Sequence, residues 1–314
     1  MNDKQPRIVV VGSINMDLVL RVPRIVRAGE TLAGSEMRLI PGGKGANQAV
    51  AAARLGADVA MVGRVGGDEY GQALLAGLRA ANVDVSEVRE STGSSGLAWI
   101  QVDEAGENSI VILAGANGEL SADDVMGAEA TIAAADVLLL QLEIPMEAIV
   151  AAIKIAQRHD VSVQLDPAPA SDNLELPWSN ITTLCPNEGE LSQLTTLTES
   201  VGGTTDLVAR ARQLIERGVR QVVVTRGAQG AISVTADEVA ERDGFSVQAV
   251  DTTAAGDAFR AAWAVATARR FTTQDSLEFA NATGALAASQ AGAQPSLPTR
   301  EQVDSLITTR PSHP

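Results

Sequence analysis

The chain has 314 residues, of which 45% are hydrophobic, 20% charged and only 3% aromatic, and 39 Asp and Glu against 24 Lys and Arg give a net charge of −15. A chain of this length and ordinary globular composition can bury a large core, here built mainly of Ala, Val, Leu and Ile. The acidity excludes a general nucleic-acid binder, which needs basic patches to displace counterions, but not a locally positive pocket for a small anion.

Met1 to Arg7 is polar and leads straight into a strand, so no signal peptide is expected. Ile8-Val9-Val10-Val11 reads as a buried strand ended by Gly12. Asn15 and Asp17 then fall just beyond its end, where open parallel sheets bind ligands; turn chemistry explains the same residues equally well. Leu18 to Leu39 departs from a strand–helix rhythm: Leu18 to Val22 alternates, Pro23 and Gly29 punctuate, and Thr31 to Leu39 allows another strand. Gly96 to Val102, a turn at Asp103 to Gly106, and Ser109 to Leu113 form a second hairpin-like insert. Together, about 17–40 and 96–113 suggest a small extra sheet that is a lid over a site, a dimer surface, or both.

Between the inserts, Pro41-Gly42-Gly43-Lys44-Gly45-Ala46-Asn47-Gln48 opens a helix that stops at Gly56. It is not a P-loop, because Gly45 stands where Ser or Thr is required, nor a dinucleotide fingerprint, because Gln48 replaces the third Gly. What remains is a glycine-rich helix start that lets backbone, Lys44 and Asn47 approach a polyhydroxylated ligand. Strands are expected over Val59–Gly63, Val137–Leu142, Val161–Leu165, Ile181–Leu184 and Gln221–Thr225, with helices near Glu69–Ala81, Met146–Arg158, Leu207–Arg217 and Asp275–Gln290. Polar residues recur at the strand ends (Asp17, Glu143, Asp166, Asn187, Thr225), as in a parallel sheet with helices on both faces. Cys185 is the single cysteine, which excludes an internal disulfide, and with only His159 and His313, far apart in the sequence, neither a metal–histidine site nor a Ser–His triad is expected. No apolar run approaches the ~20 residues that span a membrane. With no internal repeat or linker, residues 1–314 read as one α/β domain with a lid, and a cytoplasmic enzyme is the default expectation.

Asp251-Thr252-Thr253-Ala254-Ala255-Gly256-Asp257 follows a segment, Gly244 to Val250, that alternates like a strand, and Ala258 to Arg270 continues as a helix without Gly or Pro. Ala254, Ala255 and Gly256 let backbone N–H groups close on a bound group, and a helix N-terminus favours phosphate. Asp257, in the first turn, can take a proton from a hydroxyl while those amides stabilise a transferring phosphoryl group. A plain strand-to-helix connection with an acidic first turn fits these residues too.

Taken together, Gly42 to Ala49, Pro186-Asn187-Glu188-Gly189-Glu190 and Asp251 to Asp257 resemble, in order, the signatures of the ribokinase (PfkB-type) carbohydrate kinase family, and the likeness runs from Gly12 to Pro298. The resemblance implies a doubly wound, mostly parallel sheet with a small β-sheet lid through which two subunits pair. It implies ATP-dependent phosphorylation of D-ribose at its 5-hydroxyl; 2-deoxyribose, a nucleoside, or a non-catalytic sugar sensor are the alternatives. Asn15, Asp17, Gly43, Lys44, Asn47 and Glu143 match sugar-binding positions, and Asp257 matches the base. Asn187, Thr225, Gly227, Gly230, Gly256 and Asn281 match nucleotide positions. Asn187 and Glu190 match an element that influences magnesium, although an Asn with Glu three residues on is also a capping box. Asp251, Thr253, Ala287, Gln290, Gly292 and Ser296 match a potassium site. Arg260 and Ala261 depart from the pattern, which has Asn or another small polar residue and then Gly; the arginine reaches either phosphate or solvent. Asp166 reads as structural.

Overall fold

Four successive β-branched residues, Ile8 to Val11, are apolar on both sides, as a strand covered on both faces must be. The structure, a computed structural model that describes residues 5–171, 174–196 and 203–309, places them at the centre of a large sheet. The elements run β1 (Arg7–Val11), β2 (Asn15–Arg21), β3 (Glu36–Gly42), α1 (Lys44–Arg54), β4 (Asp58–Gly66), α2 (Glu69–Ala80), β5 (Val83–Ser91), β6 (Gly96–Val102) and β7 (Asn108–Leu113). They continue as α3 (Ala122–Gly127), α4 (Glu129–Ala133), β8 (Val137–Gln141), α5 (Met146–Arg158), β9 (Ser162–Asp166), β10 (Thr183–Leu184), α6 (Glu188–Leu194) and α7 (Gly203–Glu216). Last come β11 (Gln221–Thr225), β12 (Ala231–Val234), β13 (Val239–Arg242), α8 (Ala255–Ala268), α9 (Thr273–Ala288) and α10 (Arg300–Thr309). Residues 1–4, and with them most of the polar N-terminus, lie outside the described residues, as does His313.

Among the described residues the large sheet has nine strands in the order β13-β12-β11-β10-β9-β8-β1-β4-β5, parallel from β11 to β5 with an antiparallel edge hairpin β12–β13. The chain leaves β1 to pair with β4 on one side and returns as β8 on the other. The order therefore reverses between β1 and β8, where the crevice of such sheets opens. Strand alternation divides the core. Ile8, Val10, Met61 and Leu139 pack with α1, α2, α8 and α9 on one face; Val9, Val11, Leu138 and Leu140 pack with α5, α6 and α7 on the other. In α1 every residue from Gly45 to Ala52 is buried, and in α8 Ala258, Ala261, Ala262 and Ala264 are buried, so small side chains let these two helices lie close together. No helix of the described residues is long and apolar enough to cross a membrane.

The two inserts join as a separate sheet, β3-β2-β6-β7. This moves Asn15 and Asp17: they are not in a turn beyond β1 but are the first and third residues of β2, paired with Gly42 and Ile40. Their side chains gain their direction from the pleat rather than from an Asx turn. The strand expected over Gly244 to Val250 is also absent. Among the described residues β13 ends the sheet, paired only with β12, and the segment that follows joins no ladder. It crosses the carboxyl ends of the strands instead, held by Asn281 Nδ2, which donates to the carbonyls of Arg242 (3.1 Å) and Asp243 (3.4 Å). The helix after it begins at Ala255, three residues before the expected start.

Gly45 shows why α1 begins where it does. A Cβ there would lie 2.7 Å from the Ser13 nitrogen and 2.8 Å from the Gly12 carbonyl carbon, both backbone atoms that cannot swing aside. Gly45→Ala is expected to cost about 1–3 kcal/mol by overpacking, read as a lower denaturant midpoint with an unchanged m-value.

Candidate active site

The first turn of α8 supplies the centre of the site. Its cap, Ala254, is left-handed at φ 60°, an unusual conformation for a residue with a Cβ that costs roughly 1–2 kcal/mol. The strain turns the chain from Thr253 into the helix within one residue. Ala255 N–H reaches the Thr252 carbonyl at 3.2 Å, and Ala258 N–H closes the first helical bond on Ala254. Gly256 and Asp257 belong to the turn whose N–H groups have no acceptor within the helix, which leaves them and the positive helix end for an anion.

Asp257 is buried at 5% exposure and gripped from α1: Asn47 Nδ2 donates to Oδ2 at 3.0 Å and Gln48 Nε2 to Oδ1 at 3.1 Å. The early glycine–lysine segment and the late aspartate, 210 positions apart, are thus in direct contact. Gln48 Nε2 also donates to Asp166 Oδ2 (3.2 Å), and Gln48 Oε1 accepts from Gln141 Nε2 (2.8 Å), so one amide links α1, β8, β9 and α8.

The polyhydroxyl-binding candidates gather beside this contact. Asp17 packs over Gly42, whose missing Cβ makes room for the carboxylate. Its oxygens have no hydrogen-bond partner among the described residues, and burial, reinforced by Glu143 and Asp257, pushes its pKa up to about 7. Asn15 Oδ1 accepts from Asn117 Nδ2 at 2.6 Å, and Asn117 also exchanges bonds with the Ile14 backbone (2.9 and 3.2 Å). Glu143 Oε2 accepts from Ser13 Oγ (2.5 Å) and from the Lys44 amide (3.3 Å). The Lys44 ammonium lies 3.9 Å from Asp166; burial opposes its charge, but Asp166 and Asp257 outweigh burial and raise its pKa. Gly43, at φ 86°, caps α1 in a conformation that suits glycine. Asn47 Oδ1 is buried without a partner among the described residues. The site therefore combines a lone carboxylate, a lone amide oxygen and a lysine, a mixture suited to hydroxyl groups that both donate and accept.

On the other side of α8 lies a cavity of about 710 Å³. Asn187, Thr225, Gly227, Gly230, Gly256 and Asn281, all singled out from sequence, line it, together with Phe245, Val247 and Ala285 of the segment and helix around them. Its volume is that of a drug-sized ligand site, with apolar walls and a few polar groups. Gly230, at φ 89°, could not carry a Cβ without striking the Arg242 carbonyl. Glu190 is not among the lining residues. It completes the capping box, Glu190 Oε2 accepting from Asn187 N–H and Asn187 Oδ1 from Glu190 N–H, both at 2.8 Å.

Asp251, Thr253 and Gly292 are brought together: Asp251 Oδ1 accepts from Thr253 N–H and Oδ2 from Gly292 N–H, both at 2.9 Å. The Val250 amide donates to the Ala288 carbonyl, next to Ala287 and Gln290. Ser296 Oγ is used internally, donating to Ala293. A carboxylate flanked by loop carbonyls is the donor set a monovalent cation accepts.

Several residues of the site carry no signal in the sequence. Asn117 belongs to a turn far from Asn15, and Ser13 and Gln141 look like ordinary strand-end residues. Asp166, read as structural, is a hub instead: burial pushes it up to about 6 even though Arg260 and Lys44 counter the effect. Arg260, for which two fates were open, reaches neither bulk solvent nor an exposed surface, at 4% exposure.

The model of the pfkB family of carbohydrate kinases matches residues 5–300. The chain belongs to that family. The chain is 40% identical to the ribokinase of Bacillus subtilis over 96% of its own length and 99% of the relative's. A ribokinase from Thermotoga maritima superposes with a TM-score of 0.88 at 36% identity, over 96% and 99% of the two chains. The Arabidopsis thaliana ribokinase complexed with ribose and ATP gives 0.88 at 32% identity, over 98% and 100%. The doubly wound sheet with a separate small sheet is thus the family fold, as the resemblance implied.

Asp17 should oppose folding wherever it is ionised. Its pKa rises from 3.8 unfolded to about 7 folded, so the stability it permits is complete below pH 4 and is lost as pH climbs through 7. At about 1.4 kcal/mol per pKa unit the loss is on the order of 4 kcal/mol by pH 8. Ligand-free Asp17→Asn is expected to melt at a higher temperature than the wild type at pH 8 and at the same temperature at pH 4; equal melting at both would refute the assignment.

Proposed function

We propose that this chain transfers the terminal phosphate of ATP to the 5-hydroxyl of D-ribose, the pair of molecules named for the Arabidopsis relative. The observation that carries this reading is the position of Asp257, bound to Asn47 and Gln48 on one side and adjoining, through Gly256, the 710 Å³ cavity on the other. A carboxylate at that junction stands between a pocket of carboxylates, amides and a lysine and the cavity that Gly256 lines.

In the proposed reaction Asn15, Asp17, Gly43, Lys44, Asn47 and Glu143 hold the sugar. Asp17 accepts from its hydroxyls and Lys44 donates to them. Asp257 takes the proton of the 5-hydroxyl as that oxygen attacks phosphorus, and the amides of Ala254, Ala255 and Gly256 receive the charge on the transferring group. The cavity takes the nucleotide, with Asn187, Thr225, Gly227, Gly230 and Asn281 around it. Magnesium, when bound, neutralises phosphate charge; the capping pair Asn187 and Glu190 stands at that end of the site, and the bonds Glu190 accepts from Asn187 N–H and Arg260 Nη2 both fall on Oε2, leaving Oε1 to serve it. Potassium at Asp251, Thr253 and the carbonyls of Ala287, Gln290, Gly292 and Ser296 would fix the turn into α8. These loops already converge there, which supports the reading.

The small sheet supports a homodimer. Cross-strand register puts Leu39, Leu18, Trp99 and Val111 in one row, and Met37, Leu39, Trp99, Val111 and Leu113, each more than 40% exposed, share the face away from Asp17. Such a contiguous apolar face on a small sheet is what a second copy would cover.

Asp257→Asn is expected to keep sugar binding and lose about 10²–10⁴ in turnover, measured by coupled ADP release on ribose, with 2-deoxyribose and potassium-free arms alongside; near-normal turnover would end the role given to Asp257. Val111→Asp is expected to convert a dimer into a monomer in size-exclusion chromatography with light scattering, and an unchanged mass would remove the small sheet as the interface.

A further inference from the structure

Arg260 is an enclosed arginine at the carboxyl ends of the strands, and its bonds are directional. On α8 it stands one helical turn after Gly256, so the two share a face. Its Nε donates to the Cys185 carbonyl at 2.9 Å. Nη2 takes both carboxylates: it donates to Glu190 Oε2 at 3.2 Å and lies 3.1 Å from Asp166 Oδ1. Nη1 has no hydrogen-bond partner among the described residues, and it is the nitrogen turned toward Gly256, where a Cβ would lie only 2.5 Å away. Gly256 itself lines the nucleotide cavity. Arg260 does not itself line the cavity, but Gly256 does, and the place a Cβ would take there is in contact with Nη1.

We propose that Arg260 is a positioning residue for the phosphate end of the nucleotide, a buried positive charge that acts through the gap at Gly256 and is oriented by Asp166 and Glu190. This rests on reading the cavity as the nucleotide site. Two carboxylates on one guanidinium would cancel its field if they surrounded it. Both sit on Nη2, on the side remote from Gly256; Asp257 acts on the guanidinium more weakly than either, and its own oxygens are bonded to Asn47 and Gln48, so Nη1 is left facing the cavity side. The charge adds to the helix N-terminus in the same place and, being buried, is weakly screened. The arrangement also accounts for two otherwise costly features, a carboxylate buried at Asp166 and an arginine with 4% exposure. Each supplies the other's counter-charge, as buried ions require.

The test is calorimetric binding of adenosine, ADP and ATP, with magnesium, to the full-length wild type and to Arg260→Met. A charge acting on phosphate predicts about a tenfold loss in ATP affinity, a smaller loss for ADP and no change for adenosine. A role confined to packing would weaken all three equally or none, and either result overturns the proposal. Should Arg260→Met fail to fold, Arg260→Gln, which keeps a donor but not the charge, is measured in its place with the same two outcomes. Arg260→Lys, which retains the charge, is expected to recover part of the ATP affinity; recovery no better than Met would also count against a charge effect. Binding is read without sugar, so failure of ribose phosphorylation in the wild type would refute the proposed reaction and leave this result standing.

Discussion

The contact between Asp257 and the amides of Asn47 and Gln48 is the constraint on which the arrangement depends. It fixes the relation of two helices far apart in the sequence, α1 starting at a glycine-rich turn and α8 at an alanine–glycine turn. Both carboxylate oxygens are taken by side-chain N–H groups, so the orientation of the aspartate is fixed. Close packing of the Ala-rich faces of α1 and α8 makes the contact possible, since larger residues would hold the helices apart.

Around that contact the molecule concentrates charge it would not tolerate elsewhere. Asp17, Glu143, Asp166 and Asp257 lie near one another, with Lys44 and Arg260 as the cations among them. The cost shows in Asp17 and Asp166, whose ionised forms burial disfavours. Such perturbed groups cluster where chemistry is done, because a hydroxyl-rich ligand can supply the hydrogen bonds that water no longer gives. Stability and ligand binding therefore pull in opposite directions at Asp17.

The small sheet serves the same geometry from outside the main core. Its first strand, β2, carries Asn15 and Asp17 over the crevice between β1 and β8, and Asn117, following β7, ties Asn15 in place. A strand positions side chains by alternation, so the face bearing Asp17 is inward and the apolar face bearing Trp99 and Val111 is outward by the same pairing.

The sequence alone determined the layered α/β pattern, the two hairpin inserts and the helix starts at Lys44 and near Asp257, because these are written in local periodicity and in glycine and alanine placement. It also carried both motifs whose residues meet in the site. Residues 244–250 show the limit: their alternation satisfies a strand, but the chain leaving β13 is held to α9 through Asn281 and joins no ladder, a contact that no local pattern records. Local pattern could not distinguish the Asn187–Glu190 capping box from a ligand pair, nor choose a fate for Arg260, nor mark Asn117 and Asp166 as members of the site. Those outcomes depend on which groups lie opposite one another across the ends of β8, β9 and β10, and such proximity between residues scores to hundreds of positions apart is created only when the sheet is assembled.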